Sequence, residues 1–272
     1  MRILIVTDLE GVAGIIDKDN WTQASSPYYE KAKRLLTEET NAAARGFYDA
    51  GAVDVIILDG HGPGAIDVEI LHPAARYSRG IPTHILCEKF KIDAIAWVGQ
   101  HAKAGSERAH MAHSGNFTVI DYRLNGISMG EFGRTAAGAG NYGVPPIFGS
   151  GDKAFTLEAL ELCPAIETVA VKECFEEGSG ESLTYEEYYN KNTGAIHLSP
   201  AESRVRIYKG ALKALKRFME NKERFNCVKI NPPYVEFQRI RPTEGKRGYD
   251  MIKRADTFSG LLDAGEEIIE WE

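Results

Sequence analysis

Five short runs of apolar and β-branched residues recur along the first two-thirds of this 272-residue chain, and stretches with helical periodicity separate them. The runs cover residues 2–6, 53–58, 92–98, 146–148 and 168–171. Strands that alternate with helices are typical of βα units on a mostly parallel sheet. The runs are almost continuously apolar, which predicts strands buried on both faces. The sequence therefore predicts an α/β fold, with a mostly parallel sheet and flanking helices.

Two long helices are predicted from periodicity and from their end signals. Apolar residues recur on one face over residues 28–50, and Gly51 then supplies a stop. A second helix is predicted to begin after Ser199, where a serine cap, a proline and Glu202 form a capping box. We expect that helix to end at about Asn221.

An antiparallel hairpin is expected to interrupt the parallel order. Residues 117–124 alternate in polarity, and Asn125-Gly126 follows, which is the strongest short signal for a hairpin turn. Residues 228–240, broken by Pro232-Pro233, are predicted to form a bent or edge strand, because proline cannot donate a hydrogen bond within a sheet.

The character of the chain changes beyond residue 172. Residues 173–198 are acidic, contain glycines and carry three tyrosines. A lid, an oligomer contact and a solvated surface excursion all stay open for this segment. We therefore divide the chain into a metal-binding α/β domain of residues 1–172 and a smaller C-terminal α+β part of residues 173–272.

Composition excludes several classes of partner. The formal net charge of −7 and the pI of about 5.6 disfavour nucleic acid, whose phosphates need a clustered basic surface. The apolar run at residues 1–6 is too short for a signal peptide or a membrane span, and no later run is long enough, so we expect no membrane partner and a cytoplasmic location. The cysteines are scattered without a Cys-x-x-Cys pair, which favours buried free thiols. They are Cys87, Cys163, Cys174 and Cys227.

Candidate metal ligands follow the predicted strands at the points where these strands end. Asp8 and Glu10 follow the first strand, His61 follows the second and His101 follows the third. Because the carboxyl ends of parallel strands meet at one edge of an open sheet, we expect these side chains to converge. Glu131 follows the hairpin and opens a helical stretch, so it could supply a third carboxylate. Carboxylates and imidazoles gathered in this way indicate a metal site.

The number of candidate ligands indicates two ions. Zinc prefers about four ligands, so two ions need about eight coordination positions. Five side chains, one bridging carboxylate and a bridging water or hydroxide together fill about that number, as in two-metal aminopeptidases. Each residue taken singly is more often a helix cap, a turn residue or a satisfied polar group, so the inference depends on their joint occurrence.

Two further histidines lie close to His101 in sequence. Either His110 or His113 could donate a proton or polarise a scissile carbonyl. Their spacing of three residues is also that of a chance surface pair. The residues alone leave the choice open.

This ordered set of motifs resembles the DppA family of D-aminopeptidases, a group of dinuclear zinc peptidases. The resemblance spans residues 1–152, and its motifs appear in the family's order and at similar separations. They are Thr7-Asp8-Leu9-Glu10-Gly11, Thr37-Glu38-Glu39-Thr40-Asn41, Asp59-Gly60-His61, Gly99-Gln100-His101-Ala102, His113-Ser114, and Asn125-Gly126 through Gly130-Glu131-Phe132-Gly133. The resemblance implies two zinc ions per subunit and a catalytic or substrate-polarising His113. The implied zinc ligands are Asp8, Glu10, His61, His101 and Glu131.

The resemblance also implies an activity and an assembly. We expect hydrolysis of short peptides with D-amino acid N-termini by a hydroxide that bridges two zinc ions, in a homo-oligomer such as a decameric ring. No residue that we can name supports the D preference itself. Two alternatives stay open: a dinuclear hydrolase of other amides or phosphoesters, and a non-enzymatic α/β binding module in which the same side chains are only turn residues.

Overall fold

The structure, a computed structural model, describes residues 1–191, 193–227 and 229–271. The strands in these residues are β1 (Arg2–Thr7), β2 (Asp54–Asp59), β3 (Arg76–Ser78), β4 (Ala94–Gln100), β5 (Val119–Leu124), β6 (Ile127–Ser128), β7 (Pro146–Asp152), β8 (Glu167–Glu173), β9 (Ile196–His197), β10 (Tyr234–Ile240), β11 (Tyr249–Ala255) and β12 (Glu267–Glu270). The α-helices are α1 (Lys18–Trp21), α2 (Tyr29–Asp49), α3 (Thr83–Phe90), α4 (Glu131–Gly140), α5 (Lys153–Leu162), α6 (Tyr185–Tyr189) and α7 (Pro200–Glu220).

The larger sheet has seven strands in the order β3-β2-β1-β4-β7-β8-β9. Its pairings are parallel except for that of β8 with β9 at one edge. The register places Thr7 opposite Asp59 on one side and opposite Val98 on the other. The segments that follow β1, β2 and β4 are therefore neighbours at one edge of the sheet. The predicted α/β fold with a mostly parallel sheet is confirmed.

Each face of this sheet carries its own hydrophobic core, because alternate side chains of a strand point to opposite faces. Ile3 and Ile5 of β1 belong to a core with α2 and α7. Leu4 of β1 and Trp97 of β4 belong to a second core with α3, α4 and α5. The strands are thus buried on both faces, as their apolar composition predicts.

The two long helices lie where periodicity placed them. Helix α2 runs from Tyr29 to Asp49, within a residue of each predicted end. Helix α7 runs from Pro200 to Glu220, and the Ser199 side chain accepts a hydrogen bond from the N–H of Glu202 at 3.2 Å. The predicted serine cap therefore begins this helix.

The predicted hairpin is confirmed, and it joins a second, antiparallel sheet in the order β12-β11-β10-β5-β6. Asn125 and Gly126 both have positive φ, of 49° and 82°, as a two-residue hairpin turn requires. The strand predicted over residues 228–240 begins later, at Tyr234, and Val228 lies outside the described residues. The edge alternative is wrong, because β10 lies between β11 and β5, and its pairing with β5 shifts register at Arg239 and Ile240. In sequence the hairpin is inserted between β4 and β7, two strands of the parallel sheet.

The part of the chain beyond residue 172 packs on both sheets. Helix α7 lies against α2 and β8, and β10 pairs with β5. The division into residues 1–172 and 173–272 stays a prediction. Within the described residues, none of the helices combines the length and the apolar character that crossing a membrane requires.

The prediction that every cysteine is a free thiol is wrong for one pair. Cys163 and Cys227 form a disulfide, whereas Cys87 and Cys174 are free and buried. The two bonded cysteines lie 64 residues apart in sequence. Such a pairing leaves no local pattern in the sequence, because only the tertiary fold brings the end of α5 beside the segment that follows α7.

Candidate metal centre

The loops that follow β1 and β4 meet closely at the carboxyl edge of the parallel sheet. The N–H of Asp8 donates to the carbonyl oxygen of Val98 at 2.9 Å, and the N–H of Gly11 donates to that of Gly99 at 2.7 Å. A Cβ on Gly11 would lie 2.1 Å from the carbonyl oxygen of Gln100, and Gly99 has a left-handed φ of 77°. The two loops approach this closely because neither glycine carries a side chain.

One group of potential ligands consists of Asp8, Glu10 and His61, whose ligand atoms lie within 4.8 Å of one another. The Nδ1 atom of His61 is 3.3 Å from Asp8 Oδ1 and 3.3 Å from Glu10 Oε2. All three side chains are buried. Asp8 and Glu10 lie in the turn that directly follows β1, and this turn places both carboxylates beside His61.

A second group consists of His101, His113 and Glu131, again with ligand atoms within 4.8 Å of one another. The Oε1 atom of Glu131 is 3.7 Å from the Nε2 atoms of both His101 and His113. The two imidazole rings stack with their centroids 3.9 Å apart. Glu131 is the first residue of α4, and its Oε1 accepts a hydrogen bond from the N–H of Gly115 at 2.8 Å.

Asp8 joins the two groups. Its Oδ1 faces His61, whereas its Oδ2 lies 3.2 Å from the Nε2 atom of His101. The side-chain amide of Gln100 donates to Oδ2 at 3.0 Å, and the N–H of Leu9 donates to Oδ1 at 2.9 Å. The carboxylate of Asp8 is therefore held between the two groups, as a bridging ligand would be.

Each of the three histidines directs one ring nitrogen at these carboxylates. Each uses its other ring nitrogen to donate to a main-chain carbonyl oxygen, which can only accept a hydrogen bond. The pairs are His61 Nε2 with Thr22 at 2.8 Å, His101 Nδ1 with Ala102 at 2.8 Å, and His113 Nδ1 with Met111 at 2.9 Å. A neutral imidazole nitrogen and a carboxylate oxygen repel each other at these distances, unless a proton or a metal ion lies between them. Backbone bonds that fix the tautomer in this way are typical of histidines that bind metals.

Electrostatics show how strongly the centre attracts a cation. Burial alone would lower the pKa of His61, but the carboxylates of Glu10 and Asp8 raise that pKa to about 12. Burial would likewise lower the pKa of His101, and Asp8 and Glu131 raise it well above its ordinary value. The pKa of His113 is lowered, first by burial and then by the charge of His101. Positive charge is therefore favoured at His61 and His101, the two histidines that face Asp8.

The residues present fit a metal ion. The Oε2 atom of Glu10 and the Nε2 atom of His101 are fully buried, and neither has a hydrogen-bond partner in the part of the chain that the structure describes. Buried polar atoms without a partner are costly, so they indicate a missing ligand. Carboxylate oxygens and imidazole nitrogens are ligands that zinc accepts.

The structure brings together six of the seven residues singled out from the sequence: Asp8, Glu10, His61, His101, His113 and Glu131. His110, the other candidate for a catalytic histidine, lies apart from them. Its Nε2 atom contacts the carbonyl oxygens of Ile16 and Thr193, at 3.1 Å and 3.3 Å. His110 is thus bound within a neighbouring buried polar region.

Sequence reasoning missed two residues that hold the centre in place. Gln100 fixes Asp8 through the amide contact described above. Lys172, at the end of β8, is buried, and its ammonium donates to the carbonyl oxygens of Glu10 and Ile15. Lys172 could have been predicted from the sequence, since it directly follows the predicted apolar strand of residues 168–171, as Asp8 follows the first strand.

Comparison with known proteins agrees with this geometry. Residues 1–196 match the family model described as D-aminopeptidase. A D-aminopeptidase of Bacillus subtilis (strain 168) is 30% identical over 188 residues, which are 68% of this chain and 68% of that protein. The chain belongs to the D-aminopeptidase family. Membership confirms the enzyme class predicted from the sequence, a peptidase, and it disfavours the alternative of a non-enzymatic binding module.

A solved structure of the family has the same fold. It is the Zn-dependent D-aminopeptidase DppA from Bacillus subtilis, described as a self-compartmentalizing protease. The TM-score is 0.79, and the match covers 97% of this chain and 94% of that one, at 22% sequence identity. The similarity therefore extends beyond residue 196 and includes the C-terminal part.

Proposed function

We propose that this chain is a zinc-dependent D-aminopeptidase that hydrolyses short peptides and holds two zinc ions per subunit. The observation that carries the proposal is the position of Asp8, whose two oxygens face two separate groups of potential ligands. Its relatives are named D-aminopeptidase, and the solved relative is described as Zn-dependent. These names support both the activity and the metal.

The proposed ligands divide between the two ions. Asp8, Glu10 and His61 would hold one, and Asp8, His101 and Glu131 would hold the other. The three carboxylates, of which those of Asp8 and Glu10 are buried, carry more negative charge than one divalent ion offsets, whereas two divalent ions leave a net positive charge. Zinc ions bound there would lower the pKa of a bound water and polarise a peptide carbonyl.

His113 is proposed to transfer protons or to stabilise the developing oxyanion. Its Nδ1–H donates to the carbonyl oxygen of Met111, which leaves the Nε2 lone pair directed toward Glu131. Burial lowers the pKa of His113, which favours the neutral imidazole that can accept a proton. Once protonated, the same atom could donate to the departing amine.

The assembly is proposed from the description of the solved relative. Because the solved relative is described as self-compartmentalizing, we propose a homo-oligomer, with a decameric ring as the specific form. Light scattering coupled to size-exclusion chromatography would test it, since a 30.0 kDa monomer and a ring about ten times heavier are easily distinguished. A cytoplasmic location stays a prediction from the sequence.

Metal analysis of matched variants tests the two-ion proposal. We expect about two zinc ions per wild-type chain, about one in Glu10→Gln and in Glu131→Gln, and fewer than one in Asp8→Asn. Glu30→Gln is the control, since Glu30 is an exposed residue of α2. If the wild-type chain holds only one zinc ion, and if all three variants lose it, the proposal that Asp8 is shared between two ions is wrong.

Activity assays test the reaction and the role of His113. Dipeptides with a D-amino acid at the N-terminus should be hydrolysed faster than the matched dipeptides with an L-amino acid. Phosphoesters should not be hydrolysed. His113→Gln should retain both zinc ions while kcat falls by about 10²- to 10⁴-fold, the usual contribution of a positioned acid or base. A variant that loses zinc together with activity would show His113 to be a ligand.

A further inference from the structure

Lys18 is a largely buried lysine whose ammonium has no hydrogen-bonding partner among the described residues. It is the first residue of α1 and only 4% exposed. Among the residues that the structure describes, its ammonium makes no hydrogen bond or ion pair, and it lies 3.8 Å from the centroid of the Tyr189 ring and 5.9 Å from that of Phe117. Burial lowers the pKa of Lys18, and the nearby carboxylates of Asp19 and Asp17 oppose this only in part. The three donors of the ammonium therefore remain available to a ligand.

The position of Lys18 links it to the metal centre on two sides. Phe117 stacks on His113 with the ring centroids 4.5 Å apart, so the Lys18 ammonium is at most about 10 Å from the His113 ring. On the other side, α1 leads into Thr22, whose carbonyl oxygen accepts the hydrogen bond of His61. Lys18 thus places a positive charge within about 10 Å of His113, and its helix leads into the Thr22 carbonyl oxygen that contacts His61.

We propose that Lys18 binds the C-terminal carboxylate of a short peptide substrate and so selects peptides by length. The inference rests on the proposed aminopeptidase function and adds a residue for substrate selection. A carboxylate would supply the acceptor that the ammonium lacks, and a charge-assisted hydrogen bond in a buried place is among the stronger polar contacts. The rings of Tyr189 and Phe117 would keep water from the ion pair.

The distance sets the length that fits. Each extended residue adds roughly 3.3–3.6 Å, and the hydrogen bond itself adds about 2.8 Å. A carboxylate one or two residues beyond the scissile carbonyl therefore falls within the available span, whereas that of a longer extended peptide does not. Dipeptides and tripeptides with free carboxylates are the expected substrates, and amidated or longer peptides are disfavoured.

The test compares a dipeptide with its C-terminal amide in the zinc-loaded, full-length enzyme. Wild type should prefer the free acid, and Lys18→Met should reduce kcat/KM for the acid by about 10- to 100-fold while leaving that for the amide within about twofold. Lys31→Met is the matched control, because Lys31 is an exposed residue whose ammonium also lies over an aromatic ring, that of Trp21 at 5.1 Å. It should leave both substrates unchanged.

The remaining outcomes separate the possibilities. Equal loss on acid and amide in Lys18→Met would show that the lysine only supports the packing of Tyr189, and would overturn the proposal. An unchanged preference for the acid would overturn it as well. If the wild-type enzyme with bound zinc hydrolyses neither compound, the aminopeptidase function itself fails, and the role of Lys18 fails with it.

Discussion

Replacing Glu39 by glutamine should stabilise the protein at alkaline pH. In the wild type, the ionisation of this buried carboxyl lowers the free energy of unfolding as the pH rises. Glu39 lies on α2 and is 1% exposed. Its Oε1 accepts hydrogen bonds from the N–H of Ala13, at 3.1 Å, and from the hydroxyl of Ser203, whereas its Oε2 has no hydrogen-bond partner among the described residues. Burial raises the pKa of Glu39 to about 7, although these hydrogen bonds and the charge of Lys172 lower it. The native protein therefore holds this carboxyl protonated in mildly acidic solution.

The sign and size of the effect follow from linkage. Between an unfolded-state pKa of 4.5 and a folded-state pKa of about 7, the folded protein retains a proton that the unfolded chain releases. The free energy of unfolding therefore falls as the pH rises through this window, and the fall ends above about pH 7. Raising a carboxyl pKa from 4.5 to about 7 corresponds to about 3 kcal/mol. Glutamine has a similar shape and does not ionise, so it escapes this loss.

Urea unfolding of both proteins from pH 4.5 to pH 8.5, with a chelator present to remove metal binding from the comparison, measures the difference. Glu39→Gln and wild type should be similar in stability near pH 4.5, and the variant should be more stable by about 3 kcal/mol at pH 8. Glu38→Gln is the control, because the Glu38 side chain is 44% exposed, so this variant should not reproduce the gain in stability that Glu39→Gln shows at pH 8. A variant that becomes less stable than wild type as the pH rises would refute the reasoning. It would mean that attraction to Lys172 outweighs the cost of burying the charge.

Three further predictions concern the metal centre. Gln100→Leu removes the amide that donates to Asp8 Oδ2, so zinc affinity should fall by about 10- to 100-fold in competition with a chromophoric chelator. Gly11→Ala should lower the free energy of unfolding by about 1–3 kcal/mol or more in urea titration, because its Cβ would meet a main-chain carbonyl at 2.1 Å. Gly62→Ala, where a Cβ meets nothing within 4 Å, should leave stability nearly unchanged, and an equal loss in both variants would contradict the steric argument. Chelation of wild type should lower the unfolding temperature in calorimetry, since buried carboxylates lose their counter-cations, and an unchanged temperature would argue against bound metal.

The location of the site at one edge of the sheet could be predicted from the sequence, because the carboxyl ends of parallel strands lie at the same edge. Asp8, Glu10, His61 and His101 each follow a buried strand, and β1, β2 and β4 are neighbours in the sheet. Sequence order then translates directly into spatial proximity. Glu131 required one more step, the recognition that a helix begins after the hairpin, which α4 confirms.

The parts of the fold and the site that could not be predicted depend on contacts between residues far apart in the sequence. The Asn125 side chain accepts a hydrogen bond from the N–H of Val235, 110 residues later in the chain, and this contact helps join β10 to the hairpin. The ring of Tyr189 contacts that of Phe117, with centroids 5.3 Å apart, although the two residues are also distant in sequence. The sequence around Lys18 does not predict a functional role for this lysine, because its contacts with the rings of Tyr189 and Phe117 form only in the folded chain. Lys172 is different, since the rule that predicted Asp8 applies to it equally well.

Helix α1 connects the proposed substrate contact to the metal centre. Asp17 caps α1 by accepting a hydrogen bond from the N–H of Asn20 at 2.7 Å, which fixes the start of the helix at Lys18. The N–H and the hydroxyl of Thr22 both donate to the carbonyl oxygen of Lys18, at 3.1 Å and 2.9 Å, and the carbonyl oxygen of Thr22 accepts from His61. The main chain that carries the lysine and the imidazole that faces Asp8 are therefore held by one continuous set of hydrogen bonds. A metal ion that orients His61 would also hold Lys18 in place, so the centre and the proposed carboxylate contact should form together.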